Sequence, residues 1–110
     1  MRATADEVCR ARGLTLAIEQ TVYFPPTPFA PECRGAVRAA AVRLGYPHMD
    51  LVSGAGHDAI YLASVCPAGM IFVPCKDGIS HNEIEDAKPS DLTAGCNVLL
   101  HAMLERAEVI

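Results

Sequence analysis

A glycine-containing turn, Ser-Gly-Ala-Gly-His-Asp-Ala at 53–59, constrains the fold of this chain more than any other segment. A short strand is predicted at about 49–52, before the turn, and a helical pattern begins near His57 or Asp58. The next apolar segment, 70–73, is hydrophobic on both faces, which is typical of a central, parallel strand covered by helices. The order strand, turn, helix, strand, loop and helix predicts an α/β layout for the second half of the chain.

The first part of the chain predicts a separate helix-strand piece. Residues 4–12 have a helical pattern that ends at Gly13, and residues 14–24 alternate between apolar and polar side chains, which is the pattern of a half-buried strand. A proline-rich segment at 25–31 ends that strand and is a candidate domain boundary.

Two further helices are predicted in the second part, from about 32 to 44 and after Pro89-Ser90-Asp91, which we expect to cap the last one. With the helix that follows the glycine turn, this part should contain three helices and about two core strands. The expected buried stripes of the two longer helices are Cys33, Val37, Ala40, Ala41 and Leu44, and Leu92, Cys96, Leu99, Leu100 and Met103.

Strand pairing is incomplete in this layout. Two strands make a thin sheet with exposed edges, and the strand at 14–24 has no partner in its own half. We therefore expect either that copies of the chain associate, so that the protein is a homo-oligomer, or that another segment completes both sheets.

Charge and hydropathy exclude several classes of partner. The chain of 110 residues has 9 basic and 13 acidic residues and a net charge of −4, which argues against a nucleic-acid partner. Its longest apolar run, 68–74, is too short to span a bilayer, so no membrane partner is expected. The acidic N-terminus does not resemble a secretory signal, which predicts a cytoplasmic protein.

The five cysteines are scattered and form no Cys-x-x-Cys pair. This spacing fits neither a disulfide framework nor a thiolate zinc site, so small core residues are the expected role. Cys75 could be drawn as a nucleophile, but no nearby residue is a plausible orienting partner.

The glycine turn also satisfies a loose dinucleotide-binding pattern, Gly54-x-Gly56-x-x-Ala59. No complete βαβαβ unit follows, and a histidine where the pyrophosphate would approach is unusual, so this reading is set aside. Ser53 is not in a Gly-x-Ser-x-Gly nucleophile elbow.

His57 and His81 are the candidate functional residues that the sequence itself indicates. A neutral imidazole at His57 could bind a ligand or hydrogen-bond a developing oxyanion, or it could simply cap its turn. His81 lies in the loop Gly-Ile-Ser-His-Asn beside three carboxylates, which could form part of a metal site. His48 and His101 have no such context and are expected to be surface residues.

Taken together, Ser-Gly-Ala-Gly-His-Asp-Ala, the Met-Ile-Phe-Val-Pro strand and Gly-Ile-Ser-His-Asn-x-x-Glu resemble the amidase/hydantoinase/carbamoylase branch of the dizinc metallopeptidase superfamily. That branch contains N-carbamoyl-L-amino-acid hydrolases, β-ureidopropionases and allantoate amidohydrolases. The resemblance covers nearly the whole chain. It implies that 1–30 is the end of a lid or dimerisation domain and 31–110 is the C-terminal part of a zinc-peptidase-like catalytic domain.

The resemblance also implies roles for individual residues. His81 would be a zinc ligand, and Gly56 and His57 would contact the substrate, with His57 stabilising the tetrahedral intermediate. Glu85 would orient the loop without binding metal. The cofactor would be zinc, as two ions in the complete enzyme, and the substrate a small carbamoyl or ureido compound.

The family's other zinc ligands are a His-x-Asp motif, a bridging Asp, a Glu-Glu pair and a further His, and the resemblance places all of these upstream of the region that this chain covers. The lid's substrate-binding Arg and Asn also lie upstream of Met1 in the family. We therefore expect a C-terminal part of an amidohydrolase that is inactive alone, that binds no zinc by itself, and whose partner is the upstream portion of the enzyme.

Two alternatives remain open at this point. The chain could be a non-catalytic, self-associating remnant or structural module in which the histidines have no catalytic role. Paired His81 residues could also bind a transition metal at a symmetric interface.

Overall fold

The structure is a computed structural model, and it describes residues 2–108. Within this range the chain forms four α-helices and one short 3-10 turn. These are α1 (Arg2–Ala11), α2 (Pro31–Arg43), α3 (Asp58–Ala63), the 3-10 turn (Lys76–Gly78) and α4 (Pro89–Arg106).

Glycine ends α1 and α2, as the sequence predicted. Gly13 and Gly45 have φ angles of +66° and +71°, a conformation that costs other residues steric strain. After α2 the Tyr46 N–H donates to the Ala41 carbonyl at 2.9 Å, which closes a Schellman motif. The end of α1 has the same pattern of hydrogen bonds.

Proline is at the start of α2 and of α4, where a missing N–H costs nothing. The prediction that Pro89-Ser90-Asp91 caps α4 is wrong by one to three positions, because Lys88 is the N-cap residue and makes no side-chain capping bond. Asp91 lies in the first turn, where the helix dipole favours a negative charge.

The core lies between α2 and α4. Its buried residues within 2–108 are small: Ala36, Ala40, Ala41, Val98 and Ala102. Small side chains allow two helices to approach closely, but each one removes little apolar area from water. The core is therefore narrow, and its rim is formed by the partly buried residues Val37, Leu44, Tyr46 and Ile71.

The predicted buried stripe of α4 is wrong. Leu92, Leu99, Leu100 and Met103 are 49–61% exposed, whereas Val98 and Ala102 contact α2. The helix is apolar on more than one side, and only the position of its partner helix decides which side is buried. The stripe predicted for α2 is nearer the structure, since Ala40 and Ala41 are buried and Cys33, Val37 and Leu44 are half-buried.

The α/β prediction is not confirmed. The segments 14–24, 49–52 and 70–73 are not strands in residues 2–108, although the three helices predicted for the second part are present. A strand needs a neighbouring strand that forms hydrogen bonds with its N–H and C=O groups. These three segments do not pair with one another. Local alternation alone cannot supply that neighbour.

The segment 68–73 is nevertheless held against the helices. The Ala30 N–H, at the start of α2, donates to the Ala68 carbonyl at 3.0 Å. Gly95 of α4 lies so close to Val73 that a Cβ atom there would come within 2.6 Å of the valine methyl group. This close approach aligns 68–73 beside both long helices.

Between α2, α4 and this segment lies an open apolar groove of about 460 Å³. Six of the side chains that line it are Val37, Ile71, Val73, Leu92, Leu99 and Met103. Much of the apolar surface that α4 was expected to bury therefore faces this groove.

The molecule is elongated. Its radius of gyration is 19.8 Å and it measures 65 × 33 × 21 Å. A compact domain of this length would have a radius of gyration of about 13 Å. Among residues 2–108, no helix combines the length and the apolar character that a bilayer crossing requires.

Candidate functional site

A cavity of about 400 Å³ opens beside the glycine turn at the start of α3. Two of the predicted site residues, Gly56 and His57, lie in this turn and line the cavity. The other lining residues are Phe24, Asp58, Ile60 and Tyr61.

His57 is held by side-chain contacts on two sides. It occupies the N-cap position of α3 in an extended conformation (φ −141°, ψ 147°), but its side chain makes no capping bond. Its Nε2 atom instead lies 2.7 Å from Ser53 Oγ. The Phe72 ring meets the imidazole edge-on, with ring centroids 5.5 Å apart and an interplanar angle of 65°. The imidazole therefore does not cap α3, and its one polar contact lies within its own turn.

Ser53 joins the two ends of the turn. Its Oγ accepts a hydrogen bond from the Ala55 N–H at 3.2 Å, the local pattern of a serine turn, and also contacts His57. Ser53 and His57 are half-buried, whereas the three residues between Ser53 and His57 are exposed. The two side chains are thus the ordered, inward-facing part of an otherwise open turn.

Phe24 brings the N-terminal segment to the same cavity. Its ring meets Tyr61 of α3 in an edge-to-face arrangement with centroids 6.4 Å apart and an interplanar angle of 83°. Such pairs contribute about 0.5–1.5 kcal/mol beyond the area that they bury. The predicted boundary at 25–31 therefore separates two segments that meet at the site.

His81 lies in a different environment. It is exposed and has a φ angle of +55°, an uncommon conformation for a residue other than glycine. Its backbone N–H donates to Glu85 Oε2 at 2.8 Å. Glu85 therefore makes the loop-orienting contact that was expected of it.

The loop that carries His81 is closed at its base. The Lys76 N–H donates to the Asp86 carbonyl at 2.7 Å, so the two ends of 76–86 are pinned together. Within it, the Glu85 N–H donates to the Asn82 carbonyl at 3.0 Å. The main chain around His81 is thus fixed even though its imidazole faces solvent.

The structure brings together some of the predicted site residues and leaves others apart. Gly56 and His57 share a cavity, and His81 is not among the residues that line it. Nowhere in residues 2–108 do three or more His, Cys, Asp or Glu side chains form a group that could hold a metal ion. The cysteines, Cys75 included, are free thiols, and Cys75 contacts a carbonyl oxygen and no orienting base.

Sequence reasoning did not identify Ser53, Phe72 or Phe24 as part of this site, nor Asp58, Ile60 and Tyr61, which also line the cavity. For Ser53 a signal was present, since serine two residues before a backbone N–H in a glycine turn commonly bonds to it. For Phe24 and Phe72 there was none, because each belongs to a segment remote in sequence from α3.

Comparisons with known proteins cover nearly the whole chain. Residues 5–105 match Peptidase family M20/M25/M40. The chain is 47% identical over 110 residues to an N-carbamoyl-L-amino-acid amidohydrolase of Rhizobium meliloti, covering 100% of this chain and 26% of that protein. It is 30% identical over 107 residues to an allantoate amidohydrolase of Bacillus subtilis, covering 97% of this chain and 26% of that protein.

A solved structure is also similar. The crystal structure of an amidase of the hydantoinase/carbamoylase family from Burkholderia multivorans superposes with a TM-score of 0.87 at 59% identity, covering 96% of this chain and 26% of that one. The chain thus spans about a quarter of the length of the proteins that it matches.

Proposed function

Because the chain belongs to Peptidase family M20/M25/M40 and its relatives are amidohydrolases, we propose that it is the C-terminal part of a zinc-dependent amidohydrolase. The complete enzyme would cleave carbamoyl or ureido C–N bonds of N-carbamoyl amino acids or related ureido acids in the cytoplasm. The observation that carries the proposal is the cavity lined by Gly56 and His57, in a segment aligned from end to end with an N-carbamoyl-L-amino-acid amidohydrolase.

In this proposal Gly56 and His57 contact the substrate, and His57 stabilises the negative charge that develops on the oxygen of the attacked carbon. Its ring is fixed by Ser53 and Phe72 before any substrate arrives. A donor that is already oriented costs no reorganisation during the reaction, which is the physical basis of oxyanion stabilisation. Gly56 carries no side chain, so a substrate can approach the backbone closely at that point.

The described residues do not by themselves fit a catalytic zinc site. Such a site normally has three protein ligands, and no group of three metal-binding side chains forms within residues 2–108. We propose His81 as one ligand, with the remaining ligands supplied by the rest of the complete enzyme. Its exposed imidazole on a closed loop is suited to reach a metal held largely by another part of the protein.

The division of the chain follows the same proposal. Residues 1–30 would be the end of a lid or dimerisation domain, and 31–110 the C-terminal part of the catalytic domain. The Phe24–Tyr61 contact supports a lid that reaches the substrate cavity, because it joins the two segments at the cavity wall.

A chimera tests the proposed function. The segment of the Rhizobium meliloti relative that aligns with this chain would be replaced by this chain, and hydrolysis of an N-carbamoyl amino acid would be measured with zinc present. We expect an active chimera that loses activity in His81→Ala and keeps it in His48→Ala, whose imidazole is exposed and contacts a backbone carbonyl. Full activity in His81→Ala would refute the metal-ligand role.

The second candidate is a non-catalytic, self-associating module, and the open apolar groove favours it. A zinc-free, stable dimer of the chain that never supports hydrolysis in any chimera would decide for the module. Stoichiometric metal in such a dimer would instead indicate paired His81 residues at a symmetric interface.

A further inference from the structure

We propose that Ser53 is a positioning residue for His57: its hydroxyl donates to Nε2 and so keeps the single proton of the neutral imidazole on Nδ1. This inference rests on the proposed role of His57 as the oxyanion donor, because it specifies which ring nitrogen carries the N–H. It concerns a residue for which the sequence suggested no function.

The hydrogen-bonding capacity of the serine hydroxyl allows this direction, and the proposed role of His57 requires it. A hydroxyl has one proton to donate and two lone pairs to accept with. The Ala55 N–H, at 3.2 Å, occupies one lone pair. The 2.7 Å contact with His57 Nε2 can then use either the proton or the second lone pair of Ser53. Only donation by Ser53 leaves the neutral imidazole with an N–H that is free to meet an oxyanion.

The ring chemistry follows from that direction. A neutral imidazole has one donor nitrogen and one acceptor nitrogen. If Nε2 accepts from Ser53, the ring proton must be on Nδ1, and Nδ1–H becomes the donor that the imidazole offers. Hydrogen bonding at one ring nitrogen is the usual way in which proteins select the tautomer of a functional histidine.

The surroundings strengthen the hydrogen bond between Ser53 and His57 and restrict rotation of the imidazole. Both side chains are half-buried, where a hydrogen bond is electrostatically stronger than in open water. Phe72 meets the ring edge-on, which restricts rotation of the imidazole. With the ring orientation fixed, the location of the proton also fixes the direction in which the N–H points.

Long-range ¹H–¹⁵N correlation NMR on the full chain reads the tautomer directly. Spectra would be recorded at about pH 8.5, where histidine side chains are ordinarily neutral. The His57 signals would be assigned by their loss in His57→Gln. We expect a protonated Nδ1 and an unprotonated Nε2 in the parent chain, and a shift of the Nε2 signal towards the protonated form in Ser53→Ala.

Two further variants make the test specific. Ser53→Thr retains a hydroxyl and should preserve the parent pattern. Ser64→Ala is a matched control, since Ser64 Oγ donates to the Tyr61 carbonyl at 2.6 Å at the other end of the same helix, away from His57. Backbone amide spectra would establish that each variant retains the fold.

The proposal is overturned if Nε2 carries the proton in the parent chain, or if Ser53→Ala leaves the His57 signals in place. The tautomer is read from the chain alone, so its outcome is independent of whether the chimera hydrolyses any substrate. In an active chimera, Ser53→Ala should lower kcat and leave KM unchanged, whereas a mere loss of structure would impair both.

Discussion

The structure fixes the side chain of His57 but the backbone of His81. The side chain of His57 is fixed by Ser53 and Phe72, while its backbone is in ordinary extended geometry. For His81 the backbone is fixed, in a left-handed conformation, and its side chain is free to meet a ligand. Substitutions at the two positions should therefore act through different mechanisms.

Removing the imidazole of His57 should slow the chemical step. In an active chimera, His57→Ala should reduce kcat by about 100-fold or more, the usual cost of losing one oxyanion donor. Steady-state kinetics with an N-carbamoyl amino acid would measure it, with His48→Ala as the control. A kcat within a fewfold of the parent would exclude His57 as the oxyanion donor.

Removing the carboxylate of Glu85 should loosen the loop around His81. Glu85→Ala leaves the His81 N–H without its acceptor, which should cost about 1 kcal/mol locally and speed exchange of that amide roughly fivefold. Hydrogen exchange followed by NMR would measure it. Glu83→Ala, which removes a neighbouring carboxylate, should leave the rate unchanged, and equal rates in both variants would contradict the orienting role.

At single residues, the sequence predicted contacts that are local and missed those that are not. The loop-orienting role of Glu85 was implied by the family resemblance, and the contact that supports it joins residues only four positions apart. The contact between Ser53 and His57 is equally close in sequence, but it depends on how the glycine turn directs the imidazole. The packing of Phe72 on His57 depends on the fold between α3 and the next segment.

The C-terminal ends of α1 and α2 were predictable because glycine acts through the backbone. Gly13 and Gly45 adopt the positive φ angles that the helix-stop pattern requires. The strands and the buried side of α4 were not predictable, because both depend on a partner. An alternating segment becomes a strand only beside another strand, and α4 offers apolar residues such as Leu99 and Val98 on different sides.

Gly35 lies within α2 and Gly45 follows its end, so alanine substitutions at these two positions form a matched pair. Gly45→Ala must force a side chain into a left-handed conformation at φ +71° and should reduce the free energy of unfolding by about 1 kcal/mol. Gly35→Ala adds a methyl group within the helix, where no atom other than the adjacent helix backbone lies within 4 Å, and should raise the free energy of unfolding by about 0.5–1 kcal/mol.

Chemical denaturation followed by the helical circular dichroism signal would compare Gly45→Ala and Gly35→Ala with the parent. Opposite signs of the two effects are the expected result. A stabilising Gly45→Ala would be incompatible with the Schellman motif at the end of α2.

Among residues 2–108, several large apolar side chains are mostly exposed, Val52, Val65 and Met49 by 79–97%. The open apolar groove borders the small core, and the chain is far more extended than a compact domain of its length. In the complete enzyme proposed above, the rest of the catalytic domain would cover this surface. In the separate chain the same surface should promote association.

A charge placed in the groove tests that expectation. Leu99 lines the groove and is 49% exposed, so Leu99→Glu should weaken association of the isolated chain without opening the α2–α4 core. Val52→Glu is the matched control, since Val52 is 97% exposed and is not among the residues that line the groove. Light scattering over a range of concentrations would measure the mass of each variant.

Equal association of Leu99→Glu and Val52→Glu would place the contact elsewhere on the surface. Loss of association in Leu99→Glu alone would assign it to the groove.

The extended form has a hydrodynamic consequence. A compact dimer of 220 residues would have a radius of gyration of about 17 Å. One copy of this chain already has a radius of 19.8 Å. A single molecule should therefore diffuse and sediment more slowly than a globular particle of its own mass, and docking into the remainder of the proposed enzyme should remove that excess friction.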